Sequence, residues 1–152
     1  MRDPISQERI RALHPKIIES VQSFIEKAEE ELNITLRIVQ GFRTFKEQAD
    51  LYAQGRTKPG RIVTWSPAGA SYHNYGLAID IVPIKNHVAD WNYHYKDIKP
   101  FATEFGFTWG GDFPAGKKDL DHFENKFGYN WRTLLDKHNR KDFIPNTQFV
   151  NI

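Results

Sequence analysis

The chain has no cysteine among its 152 residues, so disulfides and thiolate metal sites are excluded, and any metal must be held by His, Asp or Glu. Long apolar runs are missing too: no stretch approaches the ~20 residues of a membrane-spanning helix. The N-terminal MRDPISQERIRALHP carries no apolar segment of signal-peptide length behind its arginine. The expectation is a soluble chain with no membrane span and no export segment. Charge of one sign is also scarce. With 21 Lys+Arg against 19 Asp+Glu the formal net charge is +2, too small an excess to point to nucleic acid. What is present is an ordinary globular composition, 39% hydrophobic and 14% aromatic, rich enough to bury a core in a chain of single-domain length. Neither a repeat nor a low-complexity linker interrupts it, so residues 1–152 read as one domain.

Periodicity gives the elements. Ser6 reads as the cap of a short first helix ending near His14, and Pro15 suits the first turn of the next helix. Ile17, Ile18, Val21, Phe24, Ile25, Ala28 and Leu32 recur at three- and four-residue spacing, one face of an amphipathic helix. TLRIVQG alternates and is rich in branched residues, giving a strand at 36–40 that Gly41 ends. Thr44 and Glu47 form a capping box for a helix reaching Tyr52 and Gln54, closed by Gly55. Residues 56–70, with two Pro and two Gly, read as loop. A second strand spans 77–82, and 85–95 reads as a long connection. Ile98, Phe101, Ala102 and Phe105 mark a helix stopped by Gly106, LDHFE gives a third strand at 120–124, and Trp131, Leu134 and Leu135 suggest a late helix.

In GLAIDIV, alternation puts Leu77, Ile79 and Ile81 on one face and Ala78, Asp80 and Val82 on the other. Asp80 is therefore a carboxylate set in an apolar strand, which costs several kcal/mol unless a cation or a hydrogen-bond network meets it. A structural Asp bonded to backbone N–H groups or to an Arg is the ordinary explanation. His73, seven residues upstream across the turn at Gly76, alters that balance, because a chain folding back there brings imidazole and carboxylate together. His122 is a second ionisable group inside a strand pattern. His14, before Pro15, and His138, in a charged stretch, read as surface residues, and His87 and His94 lack a comparable setting. Two His and one Asp give a divalent ion three ligands and an open fourth position, the arrangement of catalytic zinc. Asp119, Asp121 and Glu124 all lie within three residues of His122 as possible bases. Alternation puts Glu124 on the face of His122 and Asp121 on the other, while Asp119 needs a bend to reach the same place, and periodicity does not choose among them. Arg43 is the best cation for a developing oxyanion, although pairing with a core carboxylate is an equally ordinary role. Gln48, one helical turn on, either bonds substrate or supports Arg43.

These residues resemble a family, the zinc peptidoglycan peptidases that include VanY-type D-alanyl-D-alanine carboxypeptidases and L-alanyl-D-glutamate endopeptidases. The family pattern S-x-H-x-x-G-x-A-x-D is met by Ser71, His73, Gly76, Ala78 and Asp80, and its later acid, two residues and His by Asp119-Leu120-Asp121-His122. GFRTFKEQADLYAQGRTKPGRIVT and FGFTWGGDF are similar to the endopeptidase branch, and the likeness spans roughly residues 36–125. The resemblance implies a small α+β domain with an antiparallel sheet and helices packed on one side. It implies one zinc per chain on His73, Asp80 and His122, and Asp119 as the base, in a position where the carboxypeptidases usually carry Glu. It further implies Arg43 on the scissile carbonyl, Gln48 and Ser71 in support, and Trp109 and Asp112 of the WGGD element near the cleft; a core role is the plain alternative for Trp109. The expected substrate is the peptidoglycan stem peptide, cut between L-Ala and D-Glu by a monomer acting on the cell wall. Release by a phage holin or loss of an export signal would account for its location. A D-alanyl-D-alanine carboxypeptidase, or a non-catalytic zinc-containing wall-binding module, are the alternatives.

Overall fold

In a computed structural model describing residues 1–152, five α-helices and five strands are interspersed along the chain. Helix α1 (Pro4–Arg9) leads through a 3-10 turn into the long α2 (Pro15–Leu32), and Asn33, in the left-handed conformation, closes α2. Strand β1 (Thr35–Gln40) follows, then α3 (Phe45–Ala53), whose Thr44–Glu47 capping box forms with both reciprocal bonds. After a long loop and a 3-10 turn at Tyr72–Tyr75 come β2 (Ala78–Lys85), β3 (Val88–Ala89), α4 (Lys99–Glu104), β4 (Thr108–Trp109), β5 (His122–Glu124) and α5 (Trp131–Asn139). All pairings are antiparallel, in the order β1-β2-β5-β4, with β3 folding back on β2.

The apolar stripe of α2 supplies Ile17, Val21, Phe24 and Ile25 to one buried cluster with Leu36, Ile38, Ile79, Ile81 and Phe123 from the strands. Phe24 meets the Phe107 and Phe123 rings at 5.7 and 5.4 Å between centroids, a tilted arrangement that suits the ring quadrupoles. The odd-numbered residues of β2 thus face α2, as alternation requires, and Asp80 faces away. This is the expected α+β architecture, with the sheet's second face left to floor a cleft.

Several local expectations are corrected. Asp3, not Ser6, caps α1, accepting from the Ser6 backbone N–H at 2.8 Å. Ser6 is buried and ties α1 to β1, its hydroxyl receiving the Ile38 N–H at 2.8 Å. His14 is no surface residue: it is 0% exposed, caps α2 by accepting from Lys16 N–H, and lies 2.9 Å from the Val150 carbonyl. With Nδ1 accepting at the cap, Nε2 carries the hydrogen donated to Val150, and burial holds the His14 pKa below its ordinary value. His138 is half-buried and stacks on Phe45 at 4.3 Å. The 85–95 connection holds a hairpin, because Asn86 and His87 both take positive φ between Lys85 and Val88, the geometry of a two-residue primed turn.

Gly76 adopts φ +67, and a β-carbon there would stand 2.6 Å from the His14 backbone nitrogen. Gly76→Ala is therefore expected to destabilise the fold by about 1–3 kcal/mol from backbone strain alone, with the overlap adding to that. Thermal denaturation measures it, since about 1 kcal/mol moves the midpoint by roughly 2–4 °C at this chain length. An unchanged midpoint would contradict the geometry.

Candidate active site

Three elements bring the ionisable residues together. Antiparallel register sets Asp80 of β2 opposite His122 of β5 and opposite Gln40 of β1, so Asp80 and His122 project from the same face. Between Ile38 and Gln40 the register of β1 slips, an irregularity of the kind that bends a strand end beside a functional site. The slip leads into Gly41, whose carbonyl lies 2.7 Å from His73 Nδ1. His73 comes from the 3-10 turn, held by the Arg43 N–H bonding to its carbonyl at 3.0 Å and closed by Gly76.

His73 Nε2, Asp80 Oδ1 and His122 Nδ1 stand 2.9–3.2 Å from one another. The other nitrogen of each ring is engaged: His73 Nδ1 with the Gly41 carbonyl, His122 Nε2 with Glu124 Oε2 at 2.9 Å. Both partners can only accept, so the two ring hydrogens point outward. In their neutral forms both rings then turn lone pairs toward a carboxylate oxygen, and three acceptors so close repel unless a cation sits among them. Burial opposes charge on His122, yet its bonds to Asp80 and Glu124 outweigh that and push its pKa up to about 10. Burial likewise opposes ionisation of Asp80, but the His73 charge and the bond from His122 hold its pKa far below the usual range. A tetrahedral ion with ligands at 2.0–2.1 Å would need its donor atoms about 3.3 Å apart. The donor set fits zinc in chemistry and in spacing.

Around this trio lies a cleft of about 690 Å³. Arg43 enters it from the end of β1, its guanidinium 4.0 Å from Asp80 Oδ2 and bonded to Gln48 Oε1 at 2.9 Å. Burial lowers the Arg43 pKa, against the pull of Asp80, Glu47 and Asp119, and its Nε is buried without a partner. Gln48 is fully buried and donates to the Ser66 carbonyl at 2.7 Å, so it braces Arg43 against the 56–70 loop and does not line the cleft. Ser71 does line it.

Strand β5 begins only at His122, and residues 120–121 form a turn. That turn is the bend Asp119 required: carboxylate oxygens of Asp80, Asp119 and Asp121 lie within 4.8 Å of one another. Burial, the Asp80 charge and a hydrogen bond with Asp119 push the Asp121 carboxyl up to about 7. Asp121 is the less exposed of the two acids, and its carboxyl therefore keeps a proton to higher pH than a free carboxyl does. Glu124 lies on the His122 face, as alternation indicated.

Trp109 and Asp112 stand behind the wall of the cleft, and for Trp109 the core alternative holds. Trp109 is 9% exposed, belongs to the core and donates Nε1–H to the Leu120 carbonyl at 2.6 Å; Asp112 pairs with Lys99 at 2.8 Å. Neither lines the cleft. The WGGD element instead grips the Asp119 turn from behind. Asp119 N–H bonds to the Gly110 carbonyl at 3.1 Å, and a β-carbon on Gly110 would overlap the Asp119 carbonyl. Tyr72, Phe113, Lys117, Lys118, Lys126 and the 60%-exposed Trp65 line the cleft without having stood out in the sequence. The Phe113 ring lies 5.8 Å from that of His122.

The chain is 41% identical over 121 residues to the peptidoglycan L-alanyl-D-glutamate endopeptidase CwlK of Bacillus subtilis (strain 168), covering 72% of this chain and 71% of that protein. Its fold matches the Serratia marcescens L-Ala D-Glu endopeptidase ChiX with a TM-score of 0.59 at 24% identity, over 82% of this chain and 88% of that one. A vancomycin resistance D,D-pentapeptidase VanY variant, in complex with Zn(II), matches at TM-score 0.57 and 21% identity, over 74% of this chain and 72% of that one. The family described as VanY, D-alanyl-D-alanine carboxypeptidase, matches residues 10–137. That span contains the histidine turn, the paired strands and the acidic bend that meet in the cleft, and the chain belongs to this family.

Proposed function

We propose that the protein is a zinc-dependent peptidoglycan hydrolase that cuts the L-alanyl-D-glutamate bond of the cell-wall stem peptide. The observation that carries the reading is the meeting of His73 Nε2, Asp80 Oδ1 and His122 Nδ1 in an open cleft that also holds Arg43 and Asp119. The 41% identity to CwlK supports the endopeptidase over the carboxypeptidase reading. His73, Asp80 and His122 hold one zinc ion per chain, and the site is complete within a single chain, as a monomer requires. The work is done on the wall, outside the cytoplasmic membrane; no helix is long and apolar enough to cross a membrane.

The chemistry zinc supplies when bound is Lewis acidity, which brings the pKa of a water from 15.7 toward ~7. Asp119 accepts the proton of the attacking water and returns it to the amine of the departing D-Glu. Asp121, protonated, donates to Asp119 and holds its carboxylate in place. Arg43, braced by Gln48, faces the scissile carbonyl and stabilises the oxyanion, an interaction worth about 2.7–4 kcal/mol in other hydrolases.

Mass spectrometry of muropeptides digested with the purified protein is the test. Cleavage after L-Ala separates the glycan-linked alanine from the rest of the stem. Loss of a single D-Ala from the pentapeptide would instead establish the D-alanyl-D-alanine carboxypeptidase, the activity for which the family is named. Binding of walls with no bond cut would reduce the protein to a wall-binding module.

A further inference from the structure

We propose that Glu124 is a positioning residue that fixes His122 as an Nδ1 ligand, held in that task by Lys126. This rests on the zinc reading above and assigns a role to the one buried acid of the cleft, which the mechanism leaves unused. Glu124 is 4% exposed. In β5 it stands two residues beyond His122, on the same face, and pairs with Ala78 of β2, whose small side chain leaves room for a carboxylate above the sheet. Both of its oxygens are committed, Oε2 to His122 Nε2 at 2.9 Å and Oε1 to Lys126 Nζ at 3.1 Å. Lys126 in turn lies 5.1 Å from the centre of the Tyr72 ring, and the Tyr72 hydroxyl is anchored on the Tyr129 carbonyl at 2.9 Å.

The arrangement has a direction. Asp80 meets the Nδ1 edge of His122 and Glu124 the Nε2 edge, so Glu124 stands across the ring from the place where the donor atoms converge. An acid there does not reach a water at the open position, even though it borders the cleft. What it does is accept the ring hydrogen on Nε2, which commits the lone pair to Nδ1 and makes the ring a stronger donor. His73 has the reverse tautomer and a neutral acceptor, the Gly41 carbonyl. The two histidines are therefore unequal, and the anionic partner belongs to the one brought by the short β5. Lys126 balances the charge of Glu124, so the added negative charge stays on the far edge of His122.

The test is zinc affinity, measured on the purified full chain by competition with a chromophoric chelator. Glu124→Gln keeps the shape and removes the charge. It is expected to bind zinc roughly 10–100-fold more weakly than the parent, with an unchanged circular dichroism spectrum and with cleavage restored in large part at saturating zinc. Affinity within twofold of the parent would overturn the proposal while leaving the zinc reading intact. Parent-like affinity combined with lost cleavage would also overturn it, by making Glu124 the base. A parent that binds no zinc would sink both. A measurement needing no variant is the ring ¹⁵N spectrum of the zinc-loaded parent: His122 should carry its hydrogen on Nε2 and His73 on Nδ1, and the opposite tautomer at His122 refutes the assignment.

Discussion

Asp119→Ala is expected to lower turnover of the stem peptide about 10²–10⁴-fold, the usual contribution of a general base, while zinc content stays at the parent level. The carboxylate sits on an exposed turn, close to Asp80 yet outside the trio of donor atoms. Its removal takes away the proton acceptor and leaves His73, Asp80 and His122 in place. Asp121 is the rival, because its carboxyl is pushed up to about 7, where a base works well at neutral pH. The same causes, burial and the Asp80 charge, favour the protonated form of Asp121, and a protonated acid donates to its neighbour rather than taking a proton from water. Asp121→Ala is accordingly expected to cost less than Asp119→Ala. Comparing kcat for the two variants, with zinc content determined on each preparation, decides the matter. If Asp119→Ala turns over at the parent rate, or Asp121→Ala is the more damaged, the base has been misassigned.

What was legible in the sequence, and what was not, follows from the range of the interactions. Asp80 stood out because strand alternation is a two-residue rule, and a carboxylate among Ile79, Ile81 and Val82 violates it locally. The capping box of α3 and the turn at Gly76 are equally local, and both form. The strands β3 and β4, of two residues each, are too short to carry any period, so β3 falls within a segment that reads as connection and β4 leaves no signal of its own. The burial of His14 depends on Val150, 136 residues away, so the surface position expected from its neighbours does not hold. The resemblance leaves Trp109 between the cleft and the core, and its ring orientation is set by the Leu120 carbonyl, which no local pattern records. The role of the WGGD glycines emerges only when the Asp119 backbone is seen packed against Gly110, with no space for a side chain between. Glu124 was correctly placed on the face of His122 by alternation, but only the Lys126 contact and the position across the imidazole separate a partner of the ligand from a base.

His73→Ala is expected to abolish both zinc retention and cleavage, with a loss of affinity greater than the roughly 10–100-fold that follows removal of a ligand's outer partner. The side chain is one of only three in the trio, and neither neighbour can take over its place: Asp80 is set by its pairing with His122, and His122 is held from behind by Glu124. The substitution has a structural cost too, since it leaves the buried Gly41 carbonyl without its donor, a loss of about 1–3 kcal/mol, so circular dichroism must first establish that the variant is folded. Chelator treatment of the parent provides the complementary experiment, because it removes the ion and leaves every side chain. Parent protein stripped in this way should lose cleavage and regain it on resupply of zinc, whereas His73→Ala should stay inactive at any zinc concentration the parent tolerates. The stripped parent should remain folded, because a proton on His122 between Asp80 and Glu124 supplies the positive charge the cluster needs. A folded His73→Ala protein with parent zinc content would break the ligand set, and cleavage that survives thorough chelation would remove the metal from the reaction altogether.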